Sequence, residues 1–330
     1  MIPLRLQIPP NYQPTLDVLE TQRAIRYIRS SFHKALERDF GLTRVSAPLF
    51  VLPASGENDN LNGTERPVTF DVPDIGCDVE IVHSLAKWKR VALARYGFGE
   101  GQGIFTEMNA IRRDEELDNT HSIYVDQWDW ERVIAPGERT LDTCVRYANE
   151  LYGLLRALAD EVRTRFHIDV PQLPEKLFVI SSDELVATFD RLDMKSCENE
   201  IARKHGAVLL TKIGENGDRA PDYDDWTMNG DILLHFPTLD AALEISSMGV
   251  RVDATALQRQ CESRGETHRL SMPYHQAVLQ GKLPLTVGGG LGQSRICQWL
   301  LGKAHVGEVQ SSVWPAQMRQ ACDVAGIRLL

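Results

Sequence analysis

Apolar residues recur at intervals of three and four along two long segments of the chain, a spacing typical of amphipathic helices. The first segment, residues 15–40, begins with Thr15 as the expected capping residue and ends before Gly41. Its apolar positions are Ile25, Ile28, Phe32 and Leu36. The second segment is Leu141–Phe166. Further helices are predicted over residues 85–96, capped by Ser84, over the charge-rich residues 182–203, and from residue 296 onward.

A different pattern, short and rich in β-branched and apolar residues, predicts strands between these helices. The predicted strands cover residues 43–51, 78–82, 104–112, 122–131, 232–236, 242–245 and 283–287. Pro48 cannot donate a backbone hydrogen bond, so the first of these should be an edge or interface strand.

Strands 104–112 and 122–131 are separated by a charged turn, and we expect them to form a hairpin. Because side chains alternate across a strand, polar residues should collect on one face of this hairpin. Met108, Ala110 and Arg112 share a face of the first strand, and Gln127, Asp129 and Glu131 share one of the second. Such a polar face is unusual for a hairpin that only fills a core.

The composition fits one large globular domain. The chain has 330 residues, of which 43% are hydrophobic and 25% charged, and we expect a single catalytic domain over residues 1–330. No apolar run approaches the roughly 18 residues of a membrane helix, so no membrane association is expected. The six cysteines lack any metal-ligand or Cys-x-x-Cys spacing, which indicates reduced structural thiols and a cytoplasmic protein. A net charge of −10 weighs against a nucleic-acid partner.

Residues 285–295 contain an apolar strand that runs into glycines just before a helix. Glycines allow a backbone to approach a ligand closely, and a helix start favours anions. The segment is not a P-loop, because no Gly-Lys-Ser/Thr follows, and Gln293 occupies the third glycine position of a dinucleotide-binding loop. A plain tight turn explains the glycines equally well.

Three further segments concentrate charged residues where a fold does not normally need them. They are residues 57–63, 219–226 and 244–251. The first two also fit solvated loops, and only the third, which places glutamate and arginine beside strand-forming residues, favours a functional role by itself.

Six segments of the sequence, taken together, resemble the bacterial ammonia-dependent asparagine synthetases. The segments are residues 83–90, 124–131, 219–226, 229–232, 244–251 and 288–295. The similarity extends over residues 20–320. It departs at residues 1–14, an N-terminal extension, and around residues 213–229, where the loops are shorter.

The resemblance implies an α+β fold like the catalytic core of class II aminoacyl-tRNA synthetases, with an antiparallel β-sheet flanked by helices. It also implies a homodimer. In that fold Ala47 and Pro48 would belong to the dimer-interface motif, the Arg112 hairpin to the second motif, and residues 288–295 to the third.

The implied reaction joins L-aspartate and ammonia to give L-asparagine, with ATP cleaved to AMP and diphosphate through a β-aspartyl-adenylate. Arg112 and Arg295 would neutralise the phosphates, because a guanidinium pairs bidentately with phosphate oxygens. By resemblance, Glu244 would bind Mg²⁺. Further ATP contacts are expected from Asp231, Gly290 and Gly292.

Aspartate would bind with its α-groups remote from ATP. Lys89 and Arg251 are expected to hold its α-carboxylate. Candidates for its α-ammonium and surroundings are Ser84, Gln127, Asp129 and Ser247. Ammonium needs a carboxylate to attract it and take its proton, a role for which both Asp59 and Asp224 are candidates.

Two alternatives remain at this point. A compact aspartyl- or asparaginyl-tRNA synthetase paralogue would share adenylation, but the chain lacks an evident anticodon-binding domain. A regulatory dimer could retain the fold without turnover. Glutamine is not expected as nitrogen donor, because the chain has no N-terminal nucleophilic cysteine and no second domain to act as a glutaminase.

Overall fold

A computed structural model describes residues 4–189, 191–214 and 219–330. Residues 1–3 of the predicted extension and residues 215–218 of the predicted short-loop region lie outside the described residues. Within them the strands are β1 (Thr43–Arg44), β2 (Phe50–Val51), β3 (Thr69–Val72), β4 (Cys77–Ile81), β5 (Gly103–Ile111), β6 (Tyr124–Val133), β7 (Phe178–Ser181), β8 (Ala207–Thr211), β9 (Asp224–Phe236), β10 (Ala241–Arg251) and β11 (Thr286–Gly292).

Eight of these strands form one twisted sheet in the order β1-β5-β6-β11-β10-β9-β8-β7. The β1–β5 and β7–β8 pairs are parallel, and the other neighbours are antiparallel. The remaining strands form a small sheet in the order β2-β4-β3. The predicted α+β class with a mainly antiparallel sheet is therefore confirmed.

Helices cover the sheet and supply much of its core. They are α1 (Val18–Arg38), α2 (Ala86–Tyr96), α3 (Leu141–Phe166), α4 (Ser182–Thr188), α5 (Met194–His205), α6 (Ala254–Ser263), α7 (Pro273–Leu279), α8 (Gln293–Leu300) and α9 (Ala316–Val324). Helices α1 and α3 contribute their apolar faces to the same buried cluster as Trp128 and Trp130 of β6. No described helix has the length and apolar character needed to cross a membrane.

The predicted limits of α1 are wrong at its N-terminus. Asp17, not Thr15, caps the helix: its carboxylate accepts from the Glu20 backbone N–H, and the Glu20 side chain accepts from the Asp17 N–H. This reciprocal pair satisfies two of the orphan donors at the helix start. The apolar positions of α1 are buried as predicted: Ile25, Ile28, Phe32 and Leu36.

Helix α2 begins at Ala86, one residue later than predicted, with Leu85 at its cap position. The Ser84 hydroxyl accepts from the Ala86 backbone N–H at 3.3 Å, but it also donates to the Asp59 carboxylate at 2.7 Å. Ser84 therefore links the helix start to the 57–63 loop.

The predicted hairpin is confirmed as β5 and β6, with Met108 opposite Gln127 and Thr106 opposite Asp129. The single strand predicted for residues 43–51 is wrong. Two-residue strands β1 and β2 replace it, and each lies at the edge of a different sheet, as Pro48 between them requires. The helical region predicted for residues 182–203 is two helices, α4 and α5.

The glycine run does not interrupt its strand, contrary to prediction. Strand β11 extends through residues 288–292 and pairs with β6 on one side and β10 on the other. The glycines are therefore central strand residues, and helix α8 follows directly after them.

Candidate active site

A cavity of about 640 Å³ opens over the polar face of the sheet. Strands β6, β10 and β11 contribute to its lining, together with the 112–122 turn, the 61–65 loop and helix α5. The predicted site residues that line it are Arg112, Gln127, Asp231, Glu244, Ser247, Gly290, Gly292 and Arg295. They come from segments that are far apart in the sequence, and only the sheet brings them together.

Two arginines lie along the side of this cavity formed by the 112–122 turn. The Arg112 side chain is 21% exposed, and its nearest carboxylate partner is Glu115 at 4.0 Å. Its Nε is buried and has no hydrogen-bond partner among the described residues. Arg295 instead donates to the Glu244 backbone carbonyl at 2.9 Å and to the Thr120 carbonyl at 3.4 Å. Arg112 thus keeps most of its donors available to a ligand.

Arg219 and Asp231 form an ion pair inside the cavity. Arg219 Nη2 donates to Asp231 Oδ2 at 2.5 Å, and Nη1 donates to the Ser247 hydroxyl at 2.7 Å. Burial raises the pKa of Asp231 to about 7, assisted by the negative charge of Glu244 and opposed by Arg219. Burial would also raise the pKa of Glu244, but Arg295 and Arg219 offset it and leave that pKa below its ordinary value. Glu244 is therefore an ionised carboxylate facing the cavity.

The glycines of β11 make room for side chains of the neighbouring strands. A Cβ atom at Gly288 would lie 2.6 Å from the Trp130 carbonyl oxygen and would collide with the Glu131 carboxylate. A Cβ atom at Gly290 would lie 2.9 Å from Gln127 Cδ. These glycines serve close approach between strands, which explains why a glycine-rich strand is required at this position.

A row of five buried charged side chains lies close to the cavity. Lys89 donates to Asp129 and lies 3.7 Å from Glu131, which accepts from Arg251 at 2.8 Å, and Arg251 also donates to Asp224. All five side chains are at most 3% exposed. None of these five residues lines the cavity. The predicted aspartate contacts of Lys89, Asp129 and Arg251 therefore stay predictions.

Burial affects the pKa values of the carboxylates in this row of charges differently. It raises the pKa of Asp224, where Arg251 and Arg219 only partly compensate. It would do the same at Glu131, but the Arg251 guanidinium and the Lys89 ammonium hold the pKa of Glu131 below its ordinary value. Asp224 thus holds a proton more readily than Glu131 does.

Asp59 does not line the cavity either, and it is only 2% exposed. Its Oδ1 accepts from the Leu61 backbone N–H at 2.9 Å and its Oδ2 from the Ser84 hydroxyl at 2.7 Å. Leu61 does line the cavity, and its carbonyl accepts from the Tyr223 hydroxyl at 3.4 Å. Asp59 therefore lies one residue layer behind the cavity wall formed by Leu61 and Tyr223.

The start of helix α8, one of the two interpretations left open for residues 285–295, already has a carboxylate of the protein bound to it. The Asp126 carboxylate accepts from the Ser294 backbone N–H at 3.0 Å and from its hydroxyl at 2.9 Å. Arg29 of α1 donates to the same carboxylate at 2.5 Å. Asp126 thus takes the place where a helix start would otherwise favour an anion.

The segment 219–226 is not a solvated loop. Asp222, Asp224 and Asp225 are 0%, 1% and 2% exposed. Asp222 accepts from Lys87 at 2.6 Å, from His275 at 2.8 Å and from Arg269 at 3.2 Å. Burial would raise the pKa of Asp222, but the Lys87 ammonium, the His275 hydrogen bond and the Arg269 guanidinium hold that pKa far below its ordinary value.

Sequence reasoning assigned no role to several residues that line the cavity. They are Glu115, His121, Asp126, Lys195, Glu198 and Arg219. Arg219 lies in a charged segment that the sequence analysis singled out, so its charge was a usable signal. Lys195 and Glu198 lie on α5 and reach the cavity only because β8 and β9 bring that helix beside it, which no local pattern indicates.

Comparison with known proteins supports a family assignment. The family model for aspartate-ammonia ligase matches residues 19–326. Aspartate–ammonia ligase of Levilactobacillus brevis is 51% identical over 99% of this chain and 100% of its own, and that of Clostridium perfringens is 48% identical over 99% of both chains.

Solved structures show the same fold at low sequence identity. The asparaginyl-tRNA synthetase of Pyrococcus horikoshii, solved with asparaginyl-adenylate, gives a TM-score of 0.71 at 14% identity, covering 90% of this chain and 70% of that chain. The Entamoeba histolytica enzyme gives 0.66 at 14%, covering 89% and 66%. The class II aminoacyl-tRNA synthetase architecture is thus confirmed, and the matched length and identity of its relatives establish that the chain belongs to the aspartate–ammonia ligase family.

Proposed function

We propose that this cavity binds aspartate and ATP side by side and joins the aspartate β-carboxylate to ammonia. The protein is an ATP-dependent ligase of the aspartate–ammonia family, and its products are L-asparagine, AMP and diphosphate. The observation that carries the proposal is that one cavity combines the available guanidinium of Arg112 with the carboxylate of Glu244 and the amide of Gln127. Phosphate and amino-acid groups can therefore be bound at the same time.

The first step is adenylation. An oxygen of the β-carboxylate attacks the α-phosphorus, the bond to the bridging oxygen of the β-phosphate breaks, and diphosphate leaves. Arg112 and Arg295 would stabilise the negative charge on the phosphates, because guanidinium donors are preorganised for phosphate oxygens. Asp231, Gly290 and Gly292 would complete the nucleotide contacts, the glycines by close backbone approach.

Mg²⁺ would assist by neutralising phosphate charge. Among the described residues, no group of three or more acidic, histidine or cysteine side chains could hold a metal ion by itself. Mg²⁺ commonly needs only one or two protein carboxylates besides substrate phosphates and water. The ionised Glu244 fits that requirement.

Aspartate would bind toward Gln127 and Ser247, both of which line the cavity. Lys89 and Arg251 remain our candidates for its α-carboxylate, and Ser84 and Asp129 for the surroundings of its α-ammonium. In the arrangement described above, this requires the Lys89–Asp129 and Arg251–Asp224 pairs to exchange partners. Arg219, which already contacts the Ser247 hydroxyl, is an additional candidate.

The second step is attack of ammonia on the activated carbonyl carbon, with departure of AMP. Ammonium must first lose a proton, and Asp59 is our preferred base because it lies directly behind Leu61 at the cavity wall. Asp224 remains the alternative: it is as deeply buried as Asp59, but its carboxylate already accepts from the Arg251 guanidinium.

Product analysis tests this proposal. Protein supplied with aspartate, ATP, Mg²⁺ and ammonium should form asparagine and AMP in equal amounts. ADP and phosphate in place of AMP and diphosphate would contradict adenylation. Aspartate-dependent pyrophosphate exchange would contradict a silent regulatory dimer, and charging of tRNA without asparagine formation would instead support the tRNA synthetase paralogue.

A homodimer is also part of the proposal. The small sheet exposes an apolar patch formed by Leu49, Phe50, Leu52, Phe70 and Ile75, each 40–53% exposed. The Phe50 and Phe70 rings contact each other edge to face, with centroids 5.5 Å apart. The patch adjoins Ala47 and Pro48, where the sequence predicted a dimer seam, and exposed patches of this kind commonly mark interfaces.

We further propose a single catalytic domain and a cytoplasmic location. Residues from Leu16 to Ile327 contribute to one buried apolar cluster, which supports one domain. All six cysteines are unpaired, which fits a reducing compartment.

A further inference from the structure

The N-terminal segment, residues 4–16, lies against the turn that joins β5 to β6. The Gln7 backbone N–H donates to Asn119 Oδ1 at 2.7 Å, and Asn119 Nδ2 donates back to the Gln7 carbonyl at 2.8 Å. Asn119 is only 5% exposed. The Asn119 side-chain amide thus forms two hydrogen bonds with the Gln7 backbone, one to its N–H and one to its carbonyl. Adjacent strands of a sheet exchange hydrogen bonds in the same way, although this segment contains no strand.

Other contacts fix the segment on either side of Gln7. The Gln7 side chain donates to the Leu239 carbonyl, in the β9–β10 turn, at 2.9 Å. Arg5 forms a 2.7 Å ion pair with Glu116 of the β5–β6 turn, and both side chains are largely exposed. Tyr12 donates to the buried Glu308 carboxylate at 3.0 Å. The segment thus bridges two turns of the main sheet.

Asn119 is adjacent to the part of the turn that faces the cavity. The next residue, Thr120, accepts from Arg295 through its carbonyl and lines the cavity, as does His121. Asp118 holds the imidazole of His121 at 2.9 Å and accepts from the backbone N–H of Thr120 at 2.6 Å. A shift of Asn119 would therefore move groups on the nucleotide side of the site.

We propose that the N-terminal segment is a positioning element for ATP, in which the Gln7 backbone holds Asn119 and thereby sets the 112–122 turn. The inference rests on the proposed placement of ATP beside Arg112 and Arg295. Gln7 touches no substrate. Its effect is transmitted through Asn119, so the consequence of losing the contact should be specific to the nucleotide and small for aspartate.

The test compares Gln7→Pro with Gln7→Ala. Both remove the side-chain contact to Leu239, but only proline also removes the N–H that donates to Asn119. Because a net hydrogen bond contributes on the order of 1 kcal/mol, Gln7→Pro should raise KM for ATP about five- to tenfold. KM for aspartate should change less than twofold in both variants. Asn119→Ala removes the same pairing from the other side, together with the 2.7 Å hydrogen bond from Asn119 Nδ2 to the Ala304 carbonyl, and should raise KM for ATP at least as much as Gln7→Pro.

Tyr12→Phe is the control within the same segment: it removes the Glu308 contact and the hydroxyl that accepts from the Ala304 N–H at 3.2 Å, but it leaves both Gln7–Asn119 hydrogen bonds in place. Backbone amide hydrogen exchange of residues 112–123 supplies a readout that needs no turnover. Gln7→Pro should accelerate this exchange, whereas Gln7→Ala and Tyr12→Phe should not. Equal changes in KM for both substrates, or unchanged exchange in Gln7→Pro and Asn119→Ala, would overturn the inference. Failure of the wild-type protein to form asparagine would contradict the proposed function, while the exchange result would still decide the positioning role.

Discussion

Arg112 and Arg113 are adjacent in the sequence but differ in what their guanidinium groups reach. Arg112 lines the cavity with much of its donor capacity unused, whereas Arg113 is exposed outside it. Both residues follow the end of β5, in the turn that leads to β6, and this turn exposes Arg113 while it leaves Arg112 beside the cavity. The pair therefore provides a natural experiment on charge at the site.

Arg112→Ala should lower the turnover number by on the order of a hundredfold or more, since it removes a preorganised contact to the transition state. Arg113→Ala is the matched control and should leave turnover within about twofold. Steady-state asparagine formation measures both. Near-normal turnover for Arg112→Ala would remove this arginine from the site. Arg295→Ala should show a similar loss, but it also breaks contacts to Glu244 and Thr120 and is harder to interpret.

Asp59 tests whether the two half-reactions use different groups. Asp59→Asn keeps the size of the side chain and an acceptor for the Leu61 N–H while removing charge and basicity. We expect pyrophosphate exchange to persist within about threefold and asparagine formation to fall about a hundredfold or more, the scale of general-base catalysis. Asp71→Asn, at an exposed position of β3, is the control. A parallel loss of both activities would assign Asp59 to adenylation or binding and favour Asp224 as the base.

At the scale of elements, strand β11 shows how a backbone requirement can look like a loop signal. Its glycines are central residues of the main sheet, because the side chains of Glu131 and Gln127 from β6 occupy the space where Cβ atoms would lie. Those side chains in turn face the buried charges and the cavity. The glycines are therefore needed by the residues beside them.

Gly288→Ala should lower the free energy of unfolding by about 1–3 kcal/mol, the usual cost of overpacking a closed site. Gly153→Ala is the matched control: it lies in helix α3 with no described atom within 4 Å of the added Cβ. That change should stabilise the protein by about 0.5–1 kcal/mol, since alanine favours the helix interior. Urea unfolding of the two variants would measure the opposite signs, and a stable Gly288→Ala protein would contradict the close-approach explanation.

At the scale of the whole molecule, the apolar patch on the small sheet predicts self-association. Phe70→Asp should shift the protein from dimer to monomer, because a charge placed in an apolar interface is costly to desolvate. Sedimentation over a range of concentrations measures the shift. Val313→Asp is the control, as it alters a residue that is 73% exposed and lies outside the patch. Unchanged association of Phe70→Asp would place the interface elsewhere.

The stability of the fold should depend on pH through His305. This side chain is fully buried, Nδ1 accepts from the Gly307 N–H at 3.0 Å, and burial lowers its pKa to about 4. An unfolded histidine binds its proton near pH 6.5, so stability is complete above that pH and is lost as the pH falls toward 4. The loss from this group amounts to about 3 kcal/mol.

His305→Asn isolates that contribution, because asparagine can accept from the same N–H but does not titrate. Unfolding free energies measured from pH 7 to pH 4 should fall less steeply for the variant than for the wild-type protein. Identical slopes would show that His305 is not the group responsible.

The sequence alone determined the features that depend on local periodicity and residue type. The apolar spacing of α1 and α3 and the alternation in β5 and β6 predicted these elements, because helix and strand impose their own periods on whichever residues face a core. Long shared segments also determined the family. Arg112 and Gln127 were placed on the polar face of the hairpin by alternation alone.

Tertiary structure decided everything that depends on contacts between distant segments. Lys89 and Arg251 were expected to hold the α-carboxylate of a substrate, yet β6 supplies the carboxylates beside which both are buried. Asp126, not a phosphate, occupies the start of α8 because β6 lies beside it. Periodicity records which way a side chain points but not what it meets, and burial of a charge depends on the partner that another part of the chain provides.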